Sequence, residues 1–406
     1  MNSERRPESG FTLVEALVAT TIIVSVTAGV LSALNPARGV FRVQSEGIDV
    51  QQRLRTGVNT LTRDLISAGA GAYSGALTGS LAGYVAPIMP FRRGLDAALN
   101  DASDVFRSDA ITILYVPSAG AQTTVRSDMP TASSPVFIDT EPGCPKDAQT
   151  GMVDPVCGFK ANVTKAAIFD GTGAFDTLAV ASVDEAAQAL EFARPQGTLS
   201  KAYLGSSSKH LTKIVEVSSH VYFLNAATRQ LMHYDGFSTL APVLDDVVGL
   251  EFEYYGEPAP PVFVRPGQDQ TVTYGPAAPA PGVTQAPFAP GENCAWQMSG
   301  EAQISRLAFL GGADRGLVRL TSSQLTDGPW CPDEITANRY DADLFRIRKV
   351  RVTLRVQSSD DGVRGSLATG NEAMFINRGT AVSRSQTVPD RTVRFDVSPR
   401  NLNLGR

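Results

Sequence analysis

With 406 residues, 43% of them hydrophobic and 19% charged, the chain has the composition of a folded protein and the length for one large domain or two ordinary ones. Its formal net charge of -5, with Arg and Lys scattered along the sequence, excludes the dense basic surface of a nucleic-acid binder, so no nucleic-acid partner is expected. The 36 Gly and 25 Pro, with few helix formers in the second half, favour a β-rich, loop-rich body.

Residues 1–10, MNSERRPESG, are polar and end in glycine. The next 24 residues, Phe11 to Leu34, carry a single charge, Glu15. As a helix they would span about 36 Å at roughly 1.5 Å per residue, enough to cross a bilayer. An acid in such a segment costs roughly 2.5–3.5 kcal/mol on insertion scales, a penalty that a mere anchor has no use for. Cleavage between Gly10 and Phe11 would supply a positive partner, the new α-amino group of Phe11, about one helical turn away on the same chain or on a neighbouring one. Such a pair must recover its desolvation cost, so its value lies more in register between subunits than in raw stability. An ordinary secretory signal cut near Ala28, or a twin-arginine signal at Arg5-Arg6, would place Glu15 where a charge is unhelpful. An uncleaved signal anchor explains neither Gly10 nor Glu15.

Asn35-Pro36 then interrupts the apolar span, and a kink or break is expected there. The helical pattern resumes with Val43, Gly47, Val50, Leu54, Val58, Leu61 and Leu65 at spacings of three or four, one face of an amphipathic helix. Arg42, Glu46, Asp49, Arg53, Arg63 and Asp64 fall mostly off that face. Gly69-Ala70-Gly71 supplies the C-terminal stop. The predicted organisation is therefore a leader over 1–10, a membrane-spanning helix over 11–34, its amphipathic continuation over 35–69 and a β-rich globular domain over 70–406.

Within that domain, Ala110 to Val116, Phe175 to Val183, Ile214 to Leu224, Val243 to Tyr255, Leu344 to Val356 and Val393 to Val397 read as strands. Ala226-Ala227-Thr228 lies between VYFLN and QLMHYDG and predicts a hairpin. Residues 257–292 hold nine of the 25 prolines and read as a long insertion loop.

The cysteines are Cys144, Cys157, Cys294 and Cys331, with no C-x-x-C pair, so a zinc ribbon or thioredoxin-like site is not expected. An even count in an exported chain favours two disulfides over four buried thiols. Three connectivities are open; Cys144 with Cys157, closing a short loop, and Cys294 with Cys331 are preferred. His210, His220 and His233 come without an acidic or thiol ligand set, so they read as strand or surface histidines and no metal site is expected. Asp360-Asp361-Gly362 lacks EF-hand spacing. No nucleophile elbow, H-E-x-x-H or P-loop occurs, and neither catalytic residue nor cofactor is expected.

The stretch GFTLVEALVA, Gly10 to Ala19, resembles the prepilin processing motif of type IV pilins and type II secretion pseudopilins. The resemblance implies an α+β, type IV pilin-like fold: a long kinked N-terminal helix packed on a large antiparallel β-rich domain. It also implies a prepilin peptidase that cuts after Gly10 and methylates Phe11, with Glu15 serving subunit assembly. One departure is the leader's charge, since Glu4 and Glu8 offset Arg5 and Arg6 where family leaders are basic. Gln51-Gln52-Arg53-Leu54 through Arg63-Asp64-Leu65-Ile66-Ser67-Ala68-Gly69, Ser108-Asp109-Ala110-Ile111, His220-Val221-Tyr222-Phe223-Leu224 through Asp235-Gly236, Val247 to Phe252 and the closing Arg400-Asn401 are similar to PilW-type minor pilins, with GspJ-type pseudopilins as relatives. Implied partners are other minor and major pilins and the inner-membrane assembly platform. The implied location is the inner membrane, with the body on its outer side, and then the pilus. A type II secretion pseudopilin and a pilin-displayed adhesin are the alternatives.

Overall fold

The computed structural model describes residues 12–73, 79–80, 85–102, 105–117, 120–131, 133–140, 144–146, 150–169, 175–193, 199, 202–205, 212–257, 262–263, 272–273, 296–305, 316–326, 342–360, 363–364 and 388–403. An N-terminal helix, α1 (Leu13–Ser67), is followed by a large antiparallel β-rich domain, an α+β arrangement. At 55 residues α1 is about 80 Å long. Of the kink or break expected at Asn35-Pro36, a break is absent, since the helix continues through it. A proline deletes one amide donor, and the turns on either side can keep their own ladder. The helix stops where glycine is required. Gly71 has a φ of +101°, and a Cβ there would lie 2.3 Å from that of Val116. The chain leaving the helix is stitched to the next strand by Gly69 N–H donating to Leu114 O at 2.9 Å and Val116 N–H donating to Ala70 O at 2.9 Å.

A short ladder of β1 (Ala72–Tyr73) and β2 (Gly79–Ser80) comes next, and β3 (Ile88–Met89) and β4 (Ala110–Tyr115) then open a first sheet. The chain leaves that sheet for β5 (Gln122–Thr124), β6 (Val136–Phe137), β7 (Lys165–Phe169), β8 (Phe175–Asp184), β9 (Ala189–Ala193) and β10 (Lys213–Glu216). These six form a sheet of their own in the order β5-β10-β7-β8-β9-β6. The chain returns with β11 (Ser218–Asn225), which pairs with β4, Tyr222 lying opposite Ile111. Residues 121–216 are thus an inserted lobe between two neighbouring strands of another sheet. Its neck is clasped by Ala121 N–H donating to the Glu216 carboxylate at 3.1 Å and Glu216 N–H donating to Ala121 O at 2.6 Å.

The hairpin partner β12 (Gln230–Tyr234) and then β13 (Leu240–Leu244) complete the first sheet, ordered β13-β12-β11-β4-β3. The third sheet starts with β14 (Val247–Gly256). Short ladders of β15 (Val262–Phe263) with β16 (Val272–Thr273), and of β17 (Trp296–Ser299) with β18 (Ala302–Ser305), come before β19 (Val318–Leu320), β20 (Ile347–Val356) and β21 (Arg391–Val397). The order is β19-β14-β20-β21. Most of the proline-rich stretch 257–292 lies outside the described residues.

Two runs expected as single strands are each divided between sheets. Ile214 to Leu224 splits at the buried Val217, with β10 in the lobe and β11 in the first sheet. Val243 to Tyr255 splits at Asp245-Asp246, where Asp246 adopts a φ of +56° and the chain passes from the first sheet to the third. Leu344 to Val356 starts as a 3-10 turn over Ala342–Arg346 and becomes a strand only at Ile347.

Alternation along the lobe strands feeds two cores. Ala167, Phe169, Phe175 and Val215 face the main core beneath α1. Ala166, Ile168, Leu178, Val180 and Ile214 face a second core that holds Cys144 and Cys157. Those two cysteines form a disulfide 13 residues apart in sequence. Cys294 and Cys331 lie outside the described residues.

Candidate functional site

The first half of α1 begins with a capping box. Thr12 N–H and its hydroxyl each donate to the Glu15 carboxylate at 2.9 Å, and Glu15 N–H donates back to Thr12 Oγ1 at 3.3 Å. The carboxylate is therefore held over the first helical turn, on the side from which the chain arrives. On either side of it, Leu13, Val14, Leu17, Val18, Ile22, Ile23, Val24, Val26, Val30 and Leu31 are all more than half exposed. The stretch Leu13–Ser32 is long and apolar enough to cross a membrane, and none of it is buried against the body. Its hydroxyls need no outside partner. Thr20 and Thr21 donate to Leu17 O, Ser25 to Thr21 O, Thr27 to Ile23 O and Ser32 to Gly29 O, at 2.7 to 2.9 Å. Glu15 is left as the one ionisable group in a span otherwise ready for lipid or for other apolar helices.

Residues 5–31 match the prokaryotic N-terminal methylation motif, which is prepilin-type. This supports a type IV pilin-like protein. No curated protein and no solved structure matched the chain. Gly10 and Phe11, the expected cleavage and methylation positions, lie outside the described residues, whereas Glu15 stands three residues into α1.

The second half of α1 is seated on the body. Val50, Leu61, Leu65 and Ala68 are fully buried, and Val43 and Leu54 pack beside them. They share one core with Leu244 of β13, with Val350, Val352 and Leu354 of β20, and with the edge of β21. Three polar anchors flank this stripe. Glu46 accepts from the hydroxyl of Ser358 at 2.7 Å and from the N–H of Ser359 at 3.2 Å. Arg53 donates to Asp246 at 2.8 Å, and Arg364 reaches the same carboxylate at 3.2 Å. The third anchor is Asp64, only 2% exposed, which accepts from Tyr222 Oη at 2.5 Å and lies 3.3 Å from His220 Nδ1. At the far end Asn401 donates to Ala68 O at 3.3 Å, so the chain's last described turn closes on the helix terminus.

The hairpin also brings two of the histidines together. Tyr222 and His233 are direct cross-strand partners, which puts His220 on the same face two residues away. His220 Nδ1 lies 2.9 Å from His233 Nε2, and His220 Nε2 lies 3.0 Å from Tyr115 Oη. His220 stacks on Tyr115 with 5.3 Å between ring centroids. Burial pushes both imidazoles below their ordinary value, against the pull of the Asp64 carboxylate. His210 lies outside the described residues. Among the described residues no group of three or more His, Cys, Asp or Glu side chains is arranged to hold a metal ion.

Asp64 and the histidine pair were not singled out from the sequence as site residues. The signal for Asp64 was present, because Leu61, Asp64, Leu65 and Ala68 are spaced i, i+3, i+4 and i+7. An acid at such a position faces inward and needs a buried donor. For the histidines, the register of a four-residue turn over 226–229 places positions 220 and 233 on one face.

Proposed function

We propose that this chain is a minor pilin of PilW type. It acts by packing and catalyses no reaction. Its leader would be inserted on the cytoplasmic side and its body held outside the inner membrane. Prepilin peptidase would release a chain beginning at N-methylated Phe11. The processed subunit would join other minor and major pilins at the assembly platform, in a complex that primes the filament or sits at its tip. The observation that carries this reading is the first half of α1: a prepilin-type motif leading into an apolar, unburied span whose one carboxylate, Glu15, is held over the first helical turn. In the bundle of apolar helices, Glu15 would exchange its capping role for the Phe11 amine of a neighbour, and only correctly staggered helices would satisfy both charges. The size of the body, far beyond what a repeating shaft subunit needs, favours an initiating or terminal position.

The test is intact mass and N-terminal sequencing of the membrane-extracted protein from cells with and without prepilin peptidase. A chain starting at methylated Phe11, lost without the peptidase, is expected. A start near Gly29, or an uncut Met1, would overturn the reading. Capture of the mature chain with pilus subunits is expected; capture only with secretion-system pseudopilins would reassign it to that machine.

The inserted lobe favours a second reading, a binding module displayed on the filament. It has its own core and its own disulfide, a self-supported surface carried on the body. Replacing the exposed lobe residues Met152 and Val163 with Asp while pili still assemble, with surface attachment lost, would support it; attachment unchanged would count against it.

A further inference from the structure

The junction around Asp64 joins three parts of the molecule by groups that exchange protons. Asp64 and Arg63 come from α1, Tyr115 from β4, Tyr222 and His220 from β11, and His233 from β12. Asp235, just beyond β12, and Lys165 of the inserted lobe complete the charged surroundings, paired with each other. Arg63 Nε donates to Asp64 Oδ1 at 2.9 Å from a largely exposed side chain.

One proton arrangement satisfies every contact with both rings neutral. Tyr115 Oη donates to His220 Nε2, His220 Nδ1–H points at both His233 Nε2 and Asp64 Oδ2, and Tyr222 Oη donates to Asp64 Oδ2. A first added proton can enter at His220 Nε2, with Tyr115 turning to accept. A second would place N–H donors, each on a cationic ring, face to face across 2.9 Å, beside two carboxylates that are already paired, Asp64 with Arg63 and Asp235 with Lys165. With the helix lifted away, the burial that opposes charge on both rings is gone, the imidazoles turn their nitrogens apart into water, and each takes up its own proton near pH 6.5 even without the Asp64 carboxylate beside it.

We propose that the seat of α1 is an acid-sensitive latch: the docked helix admits at most one proton to the His220–His233 pair, the undocked helix admits two, and acidification therefore releases the second half of α1 from the body. The direction follows from proton counting. The docked state binds fewer protons, so its advantage is complete above the free imidazole value and is lost as pH falls below it. Excluding one proton raises the open-to-docked ratio about tenfold per pH unit, or roughly thirtyfold between pH 7.5 and pH 5.0. On the function proposed above, this would make assembly competence depend on pH on the side of the membrane that holds the body. The latch itself requires no filament and is tested without one.

The experiment uses the full chain in detergent micelles. Amide hydrogen exchange over residues 53–67, corrected for the chemical exchange rate, is compared at pH 7.5 and 5.0 for the wild type, His233→Gln and His220→Gln. Protection in the wild type should drop about thirtyfold at pH 5.0, and in both variants less than threefold, while β7 and β8 in the lobe keep their protection. Unchanged wild-type protection, or an equal drop in the variants, overturns the latch. Should a variant fail to fold, imidazole labelling of the wild type decides alone, because the chain has only three histidines. Two rings sharing fewer than two protons at pH 5.0 while docked is the expected result. Full protonation of both with residues 53–67 still protected is the contrary one.

Discussion

From Leu13 to Ser32, α1 turns apolar side chains in every direction and none of that surface is buried; from Val43 to Ala68 the same helix shows one apolar stripe, and the body consumes it. Their acids differ in the same way. Glu15 is satisfied only by its own first turn, whereas Glu46 and Asp64 are held by Ser358, Ser359 and Tyr222, far away in sequence. One continuous helix therefore carries two kinds of unmet demand. The second half meets its demand inside the chain, which fixes the helix to the body. The first half leaves its demand open, which on the proposed function lipid and then other subunits would meet. Substitutions in the two halves should accordingly fail in different assays.

The largest effect is expected at Glu15. On the proposed function, replacing it with Leu removes the acid and would leave the Phe11 ammonium of a packed neighbouring helix unpaired. Breaking such a pair costs about 3–5 kcal/mol, at least a hundredfold in the equilibrium for entering a bundle. Incorporation into sheared filaments should collapse while thermal unfolding of the body stays unchanged. A parallel loss of body stability would erase the distinction between the halves. Leu61→Ala reverses the pattern. It empties a fully buried site at the centre of the seat and should cost about 2–5 kcal/mol in denaturant unfolding of the full chain. Leu13→Ala, on the open half, should leave that unfolding curve in place.

Asp64→Ala is expected to fall between these. It strands the Tyr222 hydroxyl in a buried setting, at about 1–3 kcal/mol, while His220 Nδ1 keeps His233 Nε2 as its partner. Asp64→Asn keeps an acceptor for Tyr222 and should recover part of that loss. If Ala and Asn were both silent in unfolding, the seat would be an apolar contact alone and Asp64 a bystander.

How far the sequence foretold this arrangement depends on the distance over which each signal acts. The apolar span, the lone Glu15 and the stripe from Val43 to Leu65 rest on periodicity within a few turns, and all were legible. So was the alternation in β20, where Val350, Val352 and Leu354 point to the core. What stayed hidden was which sheet each strand joins. The run from Ile214 to Leu224 is uniformly strand-forming, yet Val217 carries it from the lobe to the first sheet. No local pattern marks that crossing, because both sides bury apolar residues equally well. The insertion of residues 121–216 is invisible for the same reason, since it is defined by β4 pairing with a strand about a hundred residues later. Asp64 was legible in its spacing but was set aside with the polar face, because its donors lie across the chain.

The finest contrast uses glycine as the probe, since α1 has glycines in open and in closed surroundings. At Gly47 a Cβ would meet nothing within 4 Å, whereas at Gly57 it would lie 2.8 Å from Leu354 Cδ2 and 3.3 Å from Leu244 Cδ2. Alanine favours a helix over glycine by about 1 kcal/mol, a gain available at both positions. At Gly47 nothing opposes it, so Gly47→Ala should stabilise the full chain by roughly 0.5–1 kcal/mol. At Gly57 the added methyl must push aside two leucine ends in a packed core, at about 1–3 kcal/mol. Those ends are flexible and can yield in part, so Gly57→Ala should come out destabilising by no more than about 1 kcal/mol. The paired measurement is denaturant unfolding of both variants under one set of conditions. Opposite signs would separate the open side of the seated helix, at Gly47, from the side pressed into the core, at Gly57. Two equal gains would mean that the seat at Gly57 yields too easily to fix the helix against the body.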